Sequence, residues 1–587
     1  MTITSATAGR KPAEIEAEAQ SASATRLSRW AITIGAAIIA GFGVGVLVAV
    51  VGFLLGVGTG AWMWVPAELG TLSAAFLGWR GAAGSAARAV VVAVVASLIV
   101  VVCVLAARGT ADTSVDGRQY HGEAVWALAD GWNPIRDAPL PSTADQGPDR
   151  INSFPKAIWI LEAAVLDTGA GISNVKGIGM AIAVATALIA LGVFMAIGVR
   201  TLVSSVLAIT VALNPVAGAQ FSTKMVDGVI ANLLVIAILL TVLLCLRRRS
   251  DGLAVLTLAM SVILMVNTKY SGVSYAVAIL IPTAVGGGLL VGRRGLRLLR
   301  TVWPILGALV VGLFFVGWNP YVTNTMRHDN PLYILVGDGS VSPSGGMTVG
   351  TMKRASEPER LLRSLASRSS TSSQDPQLRW PLVPAASEWT AFRKPGIPIG
   401  GFGPLFFGGL LGALAVLLVA TRLRDGWNPA SRVFLVAAGA LFVTAAISPG
   451  AWIARLAPQL WLAPLVVAVA VILATPRRWL RVMGAVIVVV LAVDAIGVAR
   501  SALVWGERNA ARENTSLDRV RRLRGPLTVT FQSYAIAEER RLESRGISFR
   551  VVARVQCSRP WVLSVNGVLA RPATLPALPT VTICPRA

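Results

Sequence analysis

Apolar runs of roughly 20 residues recur along the chain, each long enough to cross a hydrocarbon core of about 30 Å as a helix. The first extends from Trp30 to about Val57 behind Arg26 and Arg29. It is too long for a signal-peptide core and reads as an uncleaved span. Further runs start near Ala61, Ala89, Gly177, Thr201, Gly228, Gly252, Val273, Thr301, Phe402, Arg432, Ala457 and Val482, so about thirteen spans are expected. The second, Ala61 to Trp79, carries Pro66 and Glu68 inside it. Residues 1–29 are polar and rich in Ser, Ala and Glu, and read as a disordered cytoplasmic tail.

Basic residues fall at every second connection: Arg80 and Arg88, Arg200, Arg247 to Arg249, Arg293 to Arg300, Arg422 and Arg424, and Arg477 to Arg481. Lys and Arg collect in short cytoplasmic loops. The reading is a multi-pass protein of the cytoplasmic membrane, N-terminus inside and C-terminus outside. The Arg-rich stretch after Arg500 does not reverse this, because long translocated domains escape the rule. The polar mass then lies outside, in the 107–156 loop, the 319–401 loop and the 500–587 tail. Residues 30–499 form the transmembrane domain. The tail alternates strand-like runs (Leu527 to Phe531, Ser548 to Val555, Trp561 to Val565) with a charged helix-like run from Ala535 to Ser544, the pattern of a small α/β domain. The fold class is therefore an all-α polytopic membrane protein with a small extracytoplasmic α/β domain.

Composition agrees. Charged residues are 14% of the 587 and hydrophobic residues 55%, against about 25% charged in soluble domains. The net charge of +24 is explained by cytoplasmic loops and gives no reason to expect nucleic acid. Two histidines, His121 and His328, exclude a His-rich metal site. Cys103 and Cys245 lie in apolar spans as packing residues. Cys557 and Cys584 share the translocated tail and are expected to form a disulfide, two buried thiols being the alternative.

The chemistry-bearing residues gather on the outer side. Asp112-Thr-Ser-Val-Asp116-Gly-Arg-Gln-Tyr120-His121-Gly-Glu123 follows the third span at once, which puts its carboxylates at the membrane surface. A carboxylate there can accept a proton from a hydroxyl while a lipid-borne substrate lies alongside. Asp116, Tyr120 and Glu123 recur at helical spacing. The plain alternative is an exposed polar loop. Beyond it, Phe154-Pro155-Lys156 leads into a short apolar run to Leu166, expected as an interfacial helix with Lys156 at headgroup level, binding phosphate or snorkelling. Lys224 and Lys269 stand at outer ends of spans, where charge is costly. With Arg455 they form a candidate cationic rim for phosphate. The alternative pairs Lys224 with Asp227 and lets Lys269 snorkel.

These stretches together resemble the GT-C-fold glycosyltransferases, polytopic enzymes that use polyprenyl-phosphate sugars. The likeness rests on Asp116 with Tyr120 and His121, on Phe154-Pro155-Lys156, on Asn267-Thr268-Lys269-Tyr270, on Asn330-Pro331-Leu332-Tyr333, on Gly401-Phe402-Gly403-Pro404, and on Trp452, Arg455 and Pro458. It covers Asp112 to Trp461, and the order of the motifs carries more than any one of them. It implies a polyprenyl-phosphate-linked sugar donor in the membrane lipids and a glycan, lipid or protein acceptor. It also implies inverting transfer with Asp116 as general base and Glu123 as second choice. Tyr120, His121, Lys156, Lys224, Asp227, Lys269 and Arg455 would then bind substrate. No cofactor is demanded. A divalent metal stays open, although the adjacent acidic pair of many members is missing, since Gly117 follows Asp116. Two other readings compete: a transporter or lipid flippase, and a non-catalytic scaffold for envelope assembly.

The alternation of arginines makes one direct prediction. Cysteines placed at Ser142 and Ser370 should react with a membrane-impermeant thiol reagent on intact cells. Labelling only after lysis would invert the topology.

Overall fold

A computed structural model of the chain describes residues 12–82, 84–141, 147–247, 251–336, 347–348, 350–371, 375–423, 426–523, 527–532, 535–555, 557, 560–564, 568–571 and 579–585. Residues 1–11 of the expected tail, Arg248, Arg249, Arg424, Val565 and the labelling position Ser142 lie outside them.

The molecule is a helical bundle carrying a small sheet. Among the described residues, eight helices are long and apolar enough to cross a membrane. Five others fall where spans are expected but are shorter: Trp64–Trp79, Thr201–Ala212, Gly252–Val266, Phe406–Arg422 and Gln459–Ala474, of 12 to 17 residues. The thirteen expected spans are therefore met in full length by eight.

Helix α1 spans Pro12–Leu55. The expected disordered tail is thus corrected, because residues 12–29 continue the first span as helix. The physical reason is that Ala, Glu, Gln and Arg are good helix formers. Once the apolar span has nucleated the helix, each added residue costs little. Helices α2 (Trp64–Trp79) and α3 (Ser85–Ala107) follow. Small residues let α1 approach its neighbours, as in other membrane bundles. A Cβ on Gly35 would come within 2.8 Å of the Ala185 carbonyl oxygen, and one on Gly70 within 2.8 Å of Val44. Helix α3 keeps Val91, Val94, Leu98, Val102 and Leu105 exposed, an apolar face suited to lipid.

A second correction concerns the Ala157–Leu166 helix. All ten of its residues are buried, so it lies inside the bundle instead of in the interface. Its sequence is apolar on every side except at Glu162, and such a helix is buried, whereas an interfacial one needs a polar face.

The last long helix, Arg478–Arg521, has 44 residues. At about 1.5 Å per residue it reaches about 66 Å, roughly twice the hydrocarbon core. Its charged end runs beside the 107–156 loop, where the Ala111 amide donates to the Gly506 carbonyl at 3.0 Å. Ser501 Oγ donates to the Trp389 carbonyl at 2.6 Å, which brings the 319–401 segment to the same end.

This helix carries the C-terminal domain. Its sheet has the order β2-β1-β5-β3-β4, with β1 Leu527–Phe531, β2 Phe549–Val551, β3 Trp561–Ser564, β4 Leu569–Ala570 and β5 Pro579–Pro585. The Ala535–Glu543 helix is the crossover between the parallel strands β1 and β2. Leu527, Val529, Val581 and Ile583 alternate inward and meet Leu517 and Val520 of the long helix, so one core holds sheet and stalk together. Cys557 is disulfide-bonded to Cys584 on β5, closing 27 residues. Closing a loop of that size contributes about 3–4 kcal/mol in the chain-entropy account. Replacing both cysteines by serine should therefore lower the unfolding midpoint of the C-terminal domain and leave that of the bundle in place. Peptide mapping that finds two alkylatable thiols in protein from its native membrane would contradict the crosslink.

Candidate functional site

A cavity of about 1250 Å³ begins between α1, α2 and α3 and ends under the C-terminal domain. Its inner walls are mostly apolar (Phe42 of α1, Ala67 of α2, and Ala96, Val100 and Val104 of α3), with Thr71 and the hydrogen-bonded pair Ser97–Glu68 among them. Where α3 ends, the lining becomes cationic, with Arg108, Arg118, Lys176 and Lys224 around Asp112. The roof comes from the long helix (Glu513, Asn514) and from the Ala535–Glu543 helix and the residues after it (Glu538, Arg541, Ser544, Arg545).

Asp112 is buried and fully engaged. Its Oδ1 accepts from the Ser114 amide (2.9 Å) and hydroxyl (2.6 Å). Its Oδ2 accepts from the Lys224 amide (2.8 Å) and Nζ (2.9 Å). Burial alone would raise its pKa, but Lys224, the Ser114 hydroxyl and Lys176 hold it well below the usual carboxylate range. Lys176 donates to the Thr110 carbonyl at 2.5 Å, and burial pushes it down to about 7 against the opposing pull of Asp112.

Arg118 joins the loop to the roof. Its Nε donates to the Asp112 carbonyl at 2.5 Å. Its two Nη atoms reach Glu513 at 3.1 Å and Glu538 at 3.2 Å. Arg541 contacts the same two carboxylates, at 2.5 Å and 2.8 Å. Two guanidinium groups and two carboxylates thus form a charge-paired network between the 107–156 loop, the stalk and the C-terminal domain.

The residues expected to act together are divided. Asp116 does not line the large cavity; its Oδ2 accepts from Arg455 Nη1 at 2.5 Å. Lys269 pairs with Asp227 at 2.5 Å, and Gln220 Nε2 donates to the other Asp227 oxygen at 2.9 Å. Lys224 pairs with Asp112 instead of Asp227. This second cluster keeps some access, the Asp116, Arg455 and Lys269 side chains being 19%, 15% and 24% exposed. The expected rim of Lys224, Lys269 and Arg455 is therefore split. Lys224 faces the cavity, Lys269 and Arg455 hold the second cluster, and Lys156 belongs to neither.

Lys156 is buried, and its Nζ donates to Asn319 Oδ1 (2.6 Å) and to the Phe154 (2.8 Å) and Asn152 (3.4 Å) carbonyls. With its ammonium buried and bonded inside the protein, it does not snorkel. Tyr120 and His121 are core residues. Their rings lie 4.2 Å apart, and Tyr120 packs on Phe154 and Trp159. Trp159 Nε1 donates to His121 Nδ1 at 2.7 Å, and burial pushes His121 down to about 4, so the ring is neutral near pH 7. Glu123 is buried on α4 (Gly122–Ala129). Sequence reasoning missed Lys176, Arg118, Glu513, Glu538 and Arg541. The available signal was Asp112 itself, the first carboxylate after a span. Among the described residues no cluster of His, Cys, Asp and Glu could hold a metal ion. No protein-family model matches the chain, and no curated protein matches it in sequence.

The network differs in kind from the exposed pairs. Glu538 is 1% exposed, whereas Glu359 in its pair with Arg363 is 46% exposed. Glu538→Ala should loosen the docked domain by about 3–5 kcal/mol, because it leaves two buried guanidinium groups sharing the single carboxylate of Glu513. Glu359→Ala should cost about 0–1 kcal/mol. Hydrogen exchange across the Ala535–Glu543 helix measures the first. Unchanged protection in Glu538→Ala would mean that the network does not hold the domain.

Proposed function

We propose that the chain is a GT-C-like membrane transferase that moves a sugar from a polyprenyl-phosphate donor to a hydroxyl of a glycan, lipid or protein at the outer face of the cytoplasmic membrane. The observation that supports this best is the two-ended cavity: mostly apolar walls among the spans, then four basic side chains (Arg108, Arg118, Lys176, Lys224) around Asp112. A polyprenyl chain matches the first part and its phosphate the second. Broad exposure of α3 to lipid gives the chain a sideways route in.

On this reading the donor lies along α2 and α3 with its phosphate against Lys176 and Lys224. The acceptor hydroxyl attacks the anomeric carbon from the opposite side. The bond from that carbon to the phosphate oxygen breaks, the anomeric centre inverts, and polyprenyl phosphate leaves with the bonding pair. Asp112 takes the hydroxyl proton, replacing Asp116 in the role expected from the sequence. In the free protein Lys224 occupies Asp112 Oδ2. A donor phosphate competes for the same ammonium, and its arrival raises the basicity of the carboxylate just when a base is needed. The cations offset charge growing on the leaving phosphate, so a strong general acid is unnecessary.

Two substitutions separate the roles in full-length protein reconstituted in nanodiscs. Asp112→Asn should reduce turnover at saturating donor by about 10²–10⁴-fold while retaining decaprenyl phosphate binding. Lys176→Ala should first weaken decaprenyl phosphate binding, by about tenfold or more for a charge-assisted contact. Near-normal turnover in Asp112→Asn with lost activity in Asp116→Asn would move the base to the second cluster. Absence of decaprenyl phosphate binding in the unaltered protein would remove the donor assignment.

A further inference from the structure

The 319–401 segment carries an apolar patch that neither the cavity nor the buried pairs use. Leu378, Trp380, Leu382 and Val383 are 77%, 80%, 51% and 68% exposed. The loop that bears them is held rigidly. Arg379, in their midst, is buried. Its Nη1 donates to Glu388 Oε2 (3.1 Å) and to the Gly403 (3.0 Å) and Pro404 (2.8 Å) carbonyls, and its Nη2 to the Leu365 carbonyl (3.2 Å). The Arg379 amide donates to the Ala366 carbonyl at 2.9 Å, and the Arg368 amide to the Gln377 carbonyl at 2.8 Å. With Arg379 locked inward, its neighbours Leu378 and Trp380 are turned out. A turn follows, closed by the Val383 amide on the Trp380 carbonyl at 3.2 Å. Leu382 takes the place in that turn where glycine is usual, with φ at +63°. Its side chain fills the space that a Cβ on Gly408 would need.

The depth of this loop follows from what it touches. Gly408 is in the first turn of the Phe406–Arg422 helix. Leu405, just before that helix, donates its amide to Asp494 Oδ1 at 2.8 Å. Asp494 stands about 24 Å along the stalk from Arg478, within the reach of a hydrocarbon core of about 30 Å. One turn beyond Gly408, Leu411 begins an exposed apolar stripe with Leu414 and Leu418, the kind of face a span turns to lipid. Leu382 extends that stripe. We propose that residues 378–383 are a wedge seated in the lipid leaflet, with Leu378, Leu382 and Val383 among acyl chains and the Trp380 ring at the headgroup boundary. An indole suits that level, since its body is apolar and its N–H can meet a headgroup. In water a rigid apolar patch of this kind is a liability. Against acyl chains it anchors the 319–401 segment and fixes its height on the membrane. The exposed Arg368, bonded through its amide to Gln377, supplies a cation beside it for the headgroup layer. The inference is independent of the transferase reading.

The test attaches the fluorophore NBD to Trp380→Cys in full-length protein that also carries Cys103→Ala and Cys245→Ala. The protein is reconstituted in vesicles of phosphatidylcholine and phosphatidylglycerol. Cys557 and Cys584 are joined and do not take the label. Val383→Cys gives a second position in the loop, and Asp518→Cys, exposed on the stalk, gives a water-facing reference. Both loop positions are exposed, so their replacement empties no core. In Trp380→Cys and Val383→Cys the NBD emission should lie to the blue of that in Asp518→Cys. It should fall when the vesicles contain lipid with a doxyl group high on the acyl chain, and should resist iodide in the buffer. The reference should show the reverse. Quenching of the loop positions by iodide and not by doxyl lipid would overturn the wedge. Emission shielded from both quenchers would overturn it too, because protein, a second copy or another segment of this chain, would then cover the loop.

Discussion

Asp112 is the residue on which the end of the bundle beneath the C-terminal domain depends. A carboxylate taken out of water is costly unless paired and hydrogen-bonded. Here every position around it is filled, by Ser114 on one oxygen and by the Lys224 amide and ammonium on the other. The requirement reaches further than its own loop. Lys224 belongs to the turn before the Asp227–Leu246 helix, so pairing fixes that turn against the end of α3. The Asp112 carbonyl holds Arg118, and Arg118 holds Glu513 on the stalk and Glu538 on the C-terminal domain. One buried residue, through its carboxylate on Lys224 and its backbone carbonyl on Arg118, thus couples loop, bundle, stalk and sheet.

Spans were legible because apolar length is a strong signal in a chain that must satisfy its backbone inside lipid. The β1 strand and the charged helix after it were legible for a similar reason: Leu527 and Val529 alternate inward, and Ala535–Glu543 carries polar residues at helical spacing. Strand β5 was not. It begins and ends at proline, Pro579 and Pro585, and its neighbours in the sheet are distant in sequence. The buried Ala157–Leu166 helix was misplaced because its ten residues are too few for a span, and only tertiary packing shows what covers it.

The site was legible as a region and not as a set of partners. Sequence order brought out the Asp112–Glu123 loop, Lys224 and Asp227, and all of these are close to one another in the fold. Which lysine meets which carboxylate depends on a difference of one helical turn. Lys224 and Asp227 are three residues apart, yet they turn to different partners, Asp112 and Lys269. Asp116 and Asp112 are likewise one turn apart, and one turns to Arg455 while the other faces the cavity. Tyr120 and His121 were polar residues in a loop on paper. In the fold, Trp159 and Phe154 close over them, and no property of their own sequence neighbourhood announces that.

On the transferase reading proposed above, the architecture also bears on why the C-terminal domain is docked and not tethered. A lipid-linked donor is confined to the membrane plane, so its reacting carbon reaches the outer surface at a fixed height. A hydrophilic acceptor arrives from water and has no such confinement. For the two to meet within reacting distance, something rigid must stand above the end of α3 and present the acceptor downward. The stalk provides the height, with about twice the length a bilayer needs, and the core shared by Leu517, Val520 and the sheet makes domain and stalk one body. The Arg118–Glu513–Arg541–Glu538 network then fixes that body against the loop that carries Asp112. If the proposed transfer is what the site performs, positioning is what it has to supply, since a polyprenyl phosphate is already a good leaving group and the cations need only hold its charge. A mobile domain would leave the base and the lipid aligned with nothing to transfer to.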